Sequence, residues 1–179
     1  MKWNKLGVVW NTDGTQSWSK THAMGPTPFL RDEKTIRVFL TTLDEQGRGR
    51  PMYVDVASDN PTRVLNVATR PILDIGMPGT FDDNGLMAIS FVQAKPGILF
   101  MYYAGFEICI QIRYRIFSGL AISEDGGETF KRYCKSPILD RTDEELYFRG
   151  GPFTMLDEGV FKLWYVAGSD WTNVNGKTM

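Results

Sequence analysis

The sequence predicts an all-β chain, and three observations predict it. Apolar residues recur with the two-residue period of strands, no segment keeps a helical period for three turns, and short landmarks return at a nearly constant spacing. The strand-like stretches are "TIRVFLTTL", "PMYVDVAS", "RVLNVA", "GLMAISFV", "GILFMYYAGF", "FSGLAISED", "FKRYC", "GPFTML" and "GVFKLWYVAG". They are rich in β-branched and aromatic residues, and Gly, Pro, Asp and Asn separate them. "DRTDEELYF" has room for one helical turn, but its acidic character suits an exposed loop better.

The landmarks fix the architecture. "PILD" occurs at Pro71–Asp74 and again at Pro137–Asp140, 66 residues on. A tight polar corner precedes each copy, "ASDNPTRV" from Ala57 and "SEDGGETF" from Ser123, also 66 apart. "RVFLT" from Arg37, "FMYYA" from Phe100 and "LWYVA" from Leu163 recur at steps of 63. Four-stranded antiparallel units at a fixed period signal β-propeller blades, which pack face to face because none buries both of its faces alone.

The elements follow in order. Blade one runs over about 25–74, with strands near "PTPFL", "IRVFLTT", "PMYVDVA" and "RVLNVA". Blade two runs over about 80–140, with strands near "GLMAISFV", "ILFMYYAG", "FSGLAIS" and "FKRYC". Blade three occupies about 147–179 and holds two strands, near "GGPFTML" and "VFKLWYVAG". About two and a half blades fall short of the roughly four that the smallest closed rings use. The expectation is therefore a truncated chain, or a homo-oligomer whose copies complete the ring.

Composition bounds the partners. With 179 residues, 42% hydrophobic and 23% charged, the chain is long enough for one good core. A net charge of −1 with scattered basic residues gives no electrostatic footprint for nucleic acid or an anionic membrane. "MKWNKLGVVW" lacks the apolar core and cleavage site of a signal peptide, and "GILFMYYAGF" is too short to span a bilayer, so a non-secreted, cytoplasmic protein is expected. Cys109 and Cys134 form no CxxC pair and read as reduced, mostly buried thiols. No metal-ligand spacing and no cofactor motif is present, and Asp125 is better placed to cap its own turn.

Topology points to a site. If strands alternate in direction within a blade, the approach to its innermost strand and the turn between its second and third strands share one face. Before the innermost strands stand His22, then Asp82 and Asp83, then Tyr147 and Arg149. The turns supply Arg48 and Arg50 in blade one, and Glu107, Arg113, Tyr114 and Arg115 in blade two. Carboxylates, guanidiniums and aromatics at one mouth suit a sugar: carboxylates transfer protons or bind hydroxyls, arginine clamps carboxylates, and aromatic faces pack on pyranose rings. Each candidate has a structural competitor. Asp82 and Asp83 also suit turn formation, His22 a satisfied loop, and Glu107 a solvated or salt-bridged carboxylate. Arg50, Arg113 and Arg115 also suit compensation of acidic loops, and Arg149 is evenly divided between the two roles. The aromatics of "LWYVAG" and "FMYYAG" alternate within strands and read as core.

"SEDGGETF" matches the Ser-x-Asp-x-Gly-x-Thr-aromatic pattern and resembles the Asp box, a hairpin of sialidases and other propellers. "KWNKLGVVW", "HAMGPTPFL", "RPMYVDV", "PILDIGMPGTFDDNG", "YRIFSGLAISEDGGETF" and "PILDRTDEELYFRGGPF" together resemble the N-terminal half of five-bladed glycosidase-like propellers related to glycoside hydrolase families 43 and 32. Several such proteins accompany bacterial polysaccharide gene clusters. The resemblance implies that "KLGVVW" closes the ring by joining the last blade. It also implies three carboxylates at the starts of the first three blades: a base aspartate, a supporting aspartate and an acid glutamate. Here blade one offers "HAMGP" without a carboxylate and blade three offers "YFRGG", where Arg149 stands instead of an acid. Only Asp82-Asp83 matches, which implies a supporting or binding role for one of them.

The functional expectation is a glycoside hydrolase-like protein in which Asp82 or Asp83 and Glu107 do acid/base work, with His22, Arg50, Tyr114, Arg115, Tyr147 and Arg149 binding the carbohydrate. The alternatives are a non-catalytic glycan-binding or polysaccharide-assembly module, and a truncated product without activity.

Overall fold

Side-chain alternation and the repeat together generate two stacked sheets. A computed structural model describes residue 2 and residues 4–178, and among these there is no helix. The first sheet holds β1 (Thr21–Asp32), β2 (Thr35–Leu43), β3 (Gly49–Ala57) and β4 (Val64–Val67), antiparallel and in chain order. The second begins with β5 (Leu86–Lys95), β6 (Ile98–Ile108) and β7 (Tyr114–Ser123), with the two-residue β8 (Lys131–Arg132) beside β7. It continues through β9 (Phe148–Asp157), which meets β7 in a short parallel contact and carries β10 (Val160–Gly168). A small hairpin, β11 (Asn173–Val174) and β12 (Lys177–Thr178), follows.

The repeat has a physical meaning. After the fourth strand of each unit the chain returns over the third: Ile72 N–H donates to Pro51 O at 3.0 Å, and Ile138 N–H to Ser118 O at 2.8 Å. Successive inner strands are joined in the same way. Thr27 Oγ1, on β1, donates to Ile89 O on β5 at 3.4 Å; Ser90 Oγ, on β5, donates to Pro152 O on β9 at 2.9 Å. A short hydroxyl side chain one blade back reaches a carbonyl one blade forward, which holds the sheets close enough for their aromatic faces to meet. Phe39 stacks on Phe91 with ring centroids 3.8 Å apart, and Phe130 meets both edge-on.

The Ser123–Phe130 corner closes this joint. Asp125 accepts hydrogen bonds from the Ser123 hydroxyl, from the Glu128 and Thr129 N–H groups, and from the Thr129 hydroxyl at 2.5 Å. Burial alone would raise the Asp125 carboxyl, but these bonds, led by those from Thr129, hold it below its ordinary value. Gly127 adopts φ +84°, and a Cβ there would lie 2.7 Å from Phe39 Cζ, so only glycine fits both the turn and the contact. Phe130 then drops into the core.

The corner is also clamped electrostatically. Arg37, fully buried on β2, gives Asp55 a bidentate pair at 2.8 Å each, and also donates to Glu128 Oε1 at 2.7 Å and Gly126 O at 3.1 Å. Tyr53 lies under it, with the guanidinium carbon 3.6 Å from the ring centroid, and its hydroxyl donates to Glu128 Oε2 at 2.5 Å. Burial works against the guanidinium charge, yet the hydrogen bonds and charges of Asp55 and Glu128 outweigh it and raise the Arg37 pKa.

"KLGVVW" forms no ladder among the described residues and leaves Val8 88% exposed. Three expectations change. "FKRYC" contracts to two paired residues. "FMYYAG" is core, but in "LWYVAG" Trp164 is 52% exposed and Tyr165 36%, because β10 ends its sheet with no layer over it among the described residues. Cys109 and Cys134 are free but only half-buried, since both follow their strands rather than lie within them.

Asp55→Ala leaves the buried Arg37 charge short of a partner and should lower unfolding stability by about 3–5 kcal/mol. Arg37→Met combined with Asp55→Val should recover most of that loss. Urea unfolding of the two variants beside the parent chain checks both outcomes.

Candidate functional site

The site follows from where the turns and strand approaches meet. The β2–β3 turn packs directly on the approach to β5: a Cβ built on Gly85 would lie 2.6 Å from Gly49 N, and one on Gly49 would lie 2.5 Å from Leu86 O. Both glycines are therefore required by backbone contact between the sheets. Arg48, Arg50, Asp82 and Asp83 consequently belong to one end of the molecule.

Beneath that end runs a chain of charges. Asp44 accepts from the Arg48 Nε at 2.9 Å and pairs closely with Arg50. Arg50 Nε donates to Asp74 Oδ1 at 2.8 Å; Arg132 then donates to Asp74 O at 2.6 Å and to Asp82 Oδ2 at 2.8 Å. Tyr103 and Thr80 hydroxyls complete the Asp82 carboxylate at 3.1 and 3.0 Å. Asp82 is fully buried and surrounded by donors. It can orient the turn in front of β5, but it offers no face to a substrate. Burial, followed by the adjacent Asp82 charge, pushes the Tyr103 phenol upward, which keeps it a hydrogen-bond donor.

Asp83 and Glu107 are more open. Asp83 is half-buried and receives the Gly79 N–H at 2.8 Å, which stiffens the turn. Glu107, at the end of β6, is one-third exposed and lies 3.4 Å from Arg115 Nη1 on β7. It lines a cavity of about 440 Å³ together with Gly79, Thr80, Phe81, Phe117, Lys135, Asp140 and Arg141. Arg141 lies over the Phe117 ring at 5.6 Å. The cavity thus joins two carboxylates, two cations and two aromatic rings. Its volume falls within the span of small-molecule sites.

The other expected residues distribute differently. His22 lies inside β1, not before it, at a register shift with φ +65°; it is exposed and pairs only with the neighbouring Thr21 hydroxyl at 2.9 Å. Arg50 is committed to Asp44 and Asp74. Tyr114 packs among Phe106, Phe148 and Trp171, and Tyr147 lies 6.5 Å from Trp171. Arg113 covers the Tyr114 ring at 5.6 Å. Arg149, on β9, is held by Glu145 at 2.7 Å, the Tyr165 hydroxyl at 3.1 Å and Asp140 O at 2.6 Å; the hydrogen bond with Tyr165 leads in raising its pKa. It buttresses the Asp140 backbone from behind the cavity. Lys135, Asp140 and Arg141 were not among the expected residues, although the second "PILD" ends on Asp140 and leads toward the third inner strand. The rule that strand approaches gather at the mouth extends to them once the connection is followed back beyond Tyr147.

No family model matches the chain. It is 30% identical over 173 residues to two curated Mycobacterium tuberculosis proteins, named "Uncharacterized protein MT1551" and "Uncharacterized protein Rv1502", covering 96% of this chain and 56% of each relative. The chain therefore spans about half the length of the curated relatives it matches. Among solved structures, a thermostable family-43 glycoside hydrolase superposes with TM-score 0.56 at 16% identity, over 88% of this chain and 49% of that one. A second glycoside hydrolase gives TM-score 0.54 at 19% identity, over 74% and 43%. The chain has the all-β, glycoside hydrolase-like fold of these propellers.

The Asp44 pairing generates a pH dependence. Burial would raise this carboxyl, but the Arg48 backbone N–H and the Arg50 and Arg48 guanidiniums overcome it and hold it at about 2, below its ordinary 3.8. A depressed folded-state pKa stabilises the fold above the unfolded value and loses that contribution as pH falls through the folded one. About 2 kcal/mol should disappear between pH near 4 and pH near 2. Asp44→Asn should flatten that part of the profile, read from urea midpoints against pH.

Proposed function

On a fold shared with glycoside hydrolases, we propose that this chain is a carbohydrate-active protein whose site is the cavity walled by Glu107 and Asp140. The observation that carries the reading is the presence of two partly exposed carboxylates on one sugar-sized cavity. Glycosidic bond cleavage requires such a pair: one carboxyl protonates the leaving oxygen while the other activates water or attacks the anomeric carbon. Glu107, held by Arg115, and Asp140 are the proton-transfer pair; Asp83 stiffens the adjoining turn. Asp82 is a positioning residue that acts through the Thr80–Phe81 wall. Lys135 and Arg141 bind polar or acidic substituents, while the buried Phe81 and Phe117 back the cavity wall.

A second reading has its own observation. The position where related families bring an acid at the third blade is filled by Arg149, which is locked to Glu145 and Tyr165. A glycan-binding or polysaccharide-assembly module with this cavity binds without turnover. Under either reading, the "SEDGGETF" corner serves as an Asp box that seals one blade to the next. The chain then supplies about half of a five-bladed ring, closed by further copies of itself over the exposed apolar faces of β9 and β10.

Two measurements separate these readings. With a panel of aryl glycosides, Glu107→Gln and Asp140→Asn should each lower turnover by about 100-fold or more while glycan binding survives. Binding without turnover in the parent chain establishes the module instead, and unchanged turnover in both variants removes the assigned pair. Light scattering after gel filtration should find a discrete oligomer; a monodisperse monomer would exclude ring closure by copies.

A further inference from the structure

A second pocket lies on the same end of the molecule but belongs to blade one. Residues 10–19 fold back over the start of β3 and the end of β4, enclosing about 320 Å³ lined by Trp10, Asn11, Gln16, Trp18, Met52 and Thr69 among others. The segment is well anchored. Lys20 N–H donates to Leu43 O at 2.7 Å and Glu45 N–H to Ser17 O at 3.2 Å, fixing it to the β2–β3 turn. Thr12 and Ser19 pair through their hydroxyls at 3.1 Å, and Asp13 takes both the N–H and the hydroxyl of Thr15.

The lining has a particular chemistry. Both indoles are half-buried against the core, each leaving part of its surface to the pocket, and they do not stack on one another. Asn11 and Gln16 are exposed, and among the described residues their side-chain amides make no hydrogen bond, so each can donate to and accept from a ligand. The pocket has no lysine or arginine, and its one carboxylate is committed to Thr15. A phosphate or a carboxylate would find no cation here. Flat indole faces beside uncharged amides suit a ring with an apolar face and hydroxyls at its edge.

We propose that the Trp10–Trp18 pocket is a second glycan-binding site, selective for uncharged pyranosides and separate from the cavity at Glu107. It rests on the carbohydrate reading above. The β2–β3 turn that anchors residues 17–20 also packs on the approach to β5. Both sites therefore open on one end of the molecule, and an extended glycan held at blade one presents its neighbouring residues toward the cavity. The gain is in effective concentration rather than in chemistry.

The test reads the indole N–H resonances of the full chain, each assigned by a Trp→Phe substitution, during titration with the methyl glycosides of glucose, galactose and mannose. Saturable shifts of the Trp10 and Trp18 signals are expected with at least one of them. Trp18→Ala should lower that affinity about tenfold or more. Because Trp18 also packs on the core, Asn11→Ala with Gln16→Ala provides an exposed variant, which should abolish these shifts without altering the thermal melt. No shift at Trp10 or Trp18, alongside turnover that still depends on Glu107 and Asp140, overturns the second site and leaves the cavity reading standing. Silence at every indole, together with no binding at the cavity, overturns both.

Discussion

A single buried guanidinium sets the terms on which the two sheets can pack. Arg37 projects from near the start of β2 toward the neighbouring sheet, where an unpaired charge would cost several kcal/mol. Its acceptors come from two places that are distant in sequence. Asp55 sits opposite it on β3, and Glu128 and Gly126 arrive from the corner after β7. The aromatic stack of Phe39, Phe91 and Phe130 can close only when that corner is in place, because the corner delivers both the last acceptors and the Phe130 ring. Replacing the ion pair with hydrocarbon could leave the interface equally stable, but would remove the demand that this turn, in this register, occupy the joint.

The same division between fixed and free charge runs through the mouth. Asp44, Arg50, Asp74, Arg132 and Asp82 form a continuous series in which nearly every donor faces an acceptor. Such a series is scaffold: it ties the β2–β3 turn, the first "PILD" and the turn before β5 into one unit. What remains partly open is Glu107 and Asp140, both lining a cavity whose walls that scaffold keeps in place.

Much of the fold was legible in the sequence because its causes are local. Alternation placed nine of the strands, the repeat added the first, and the spacing of "PILD" located the return segments that Ile72 and Ile138 occupy. The hydrogen bonds made within the Ser123–Phe130 corner span at most four residues, so its shape could be read from eight letters, although its ties to Arg37 and Tyr53 could not. The site was less legible, since its geometry depends on pairings across the sheets. Arg132 finds Asp82 50 residues away, and nothing near either residue names the other. Asp82 and Asp83 are identical letters in one turn, yet one is saturated and the other half-open. Alternation is likewise the same for a covered strand and an uncovered one, which is why Tyr103 and Trp164 looked alike and are not.

The hydroxyl links between inner strands have a direction. In both, the side-chain hydroxyl lies on the earlier strand and meets the backbone of the later one: Thr27 donates to Ile89 O, and Ser90 donates to Pro152 O and accepts from Thr154 N–H. Each blade therefore has unlike front and back faces, and the stack grows head to tail, as heterologous subunits do. A twofold axis that pressed two β9–β10 faces together would bring two backs into contact and would not reproduce the pairing of an earlier strand's hydroxyl with a later strand's backbone. The third position in the series is Phe153, which carries no hydroxyl and stands 54% exposed. Whatever covers it meets a hydrocarbon plug where the two earlier joints have a polar pin, so that junction can form, and separate, on terms different from theirs.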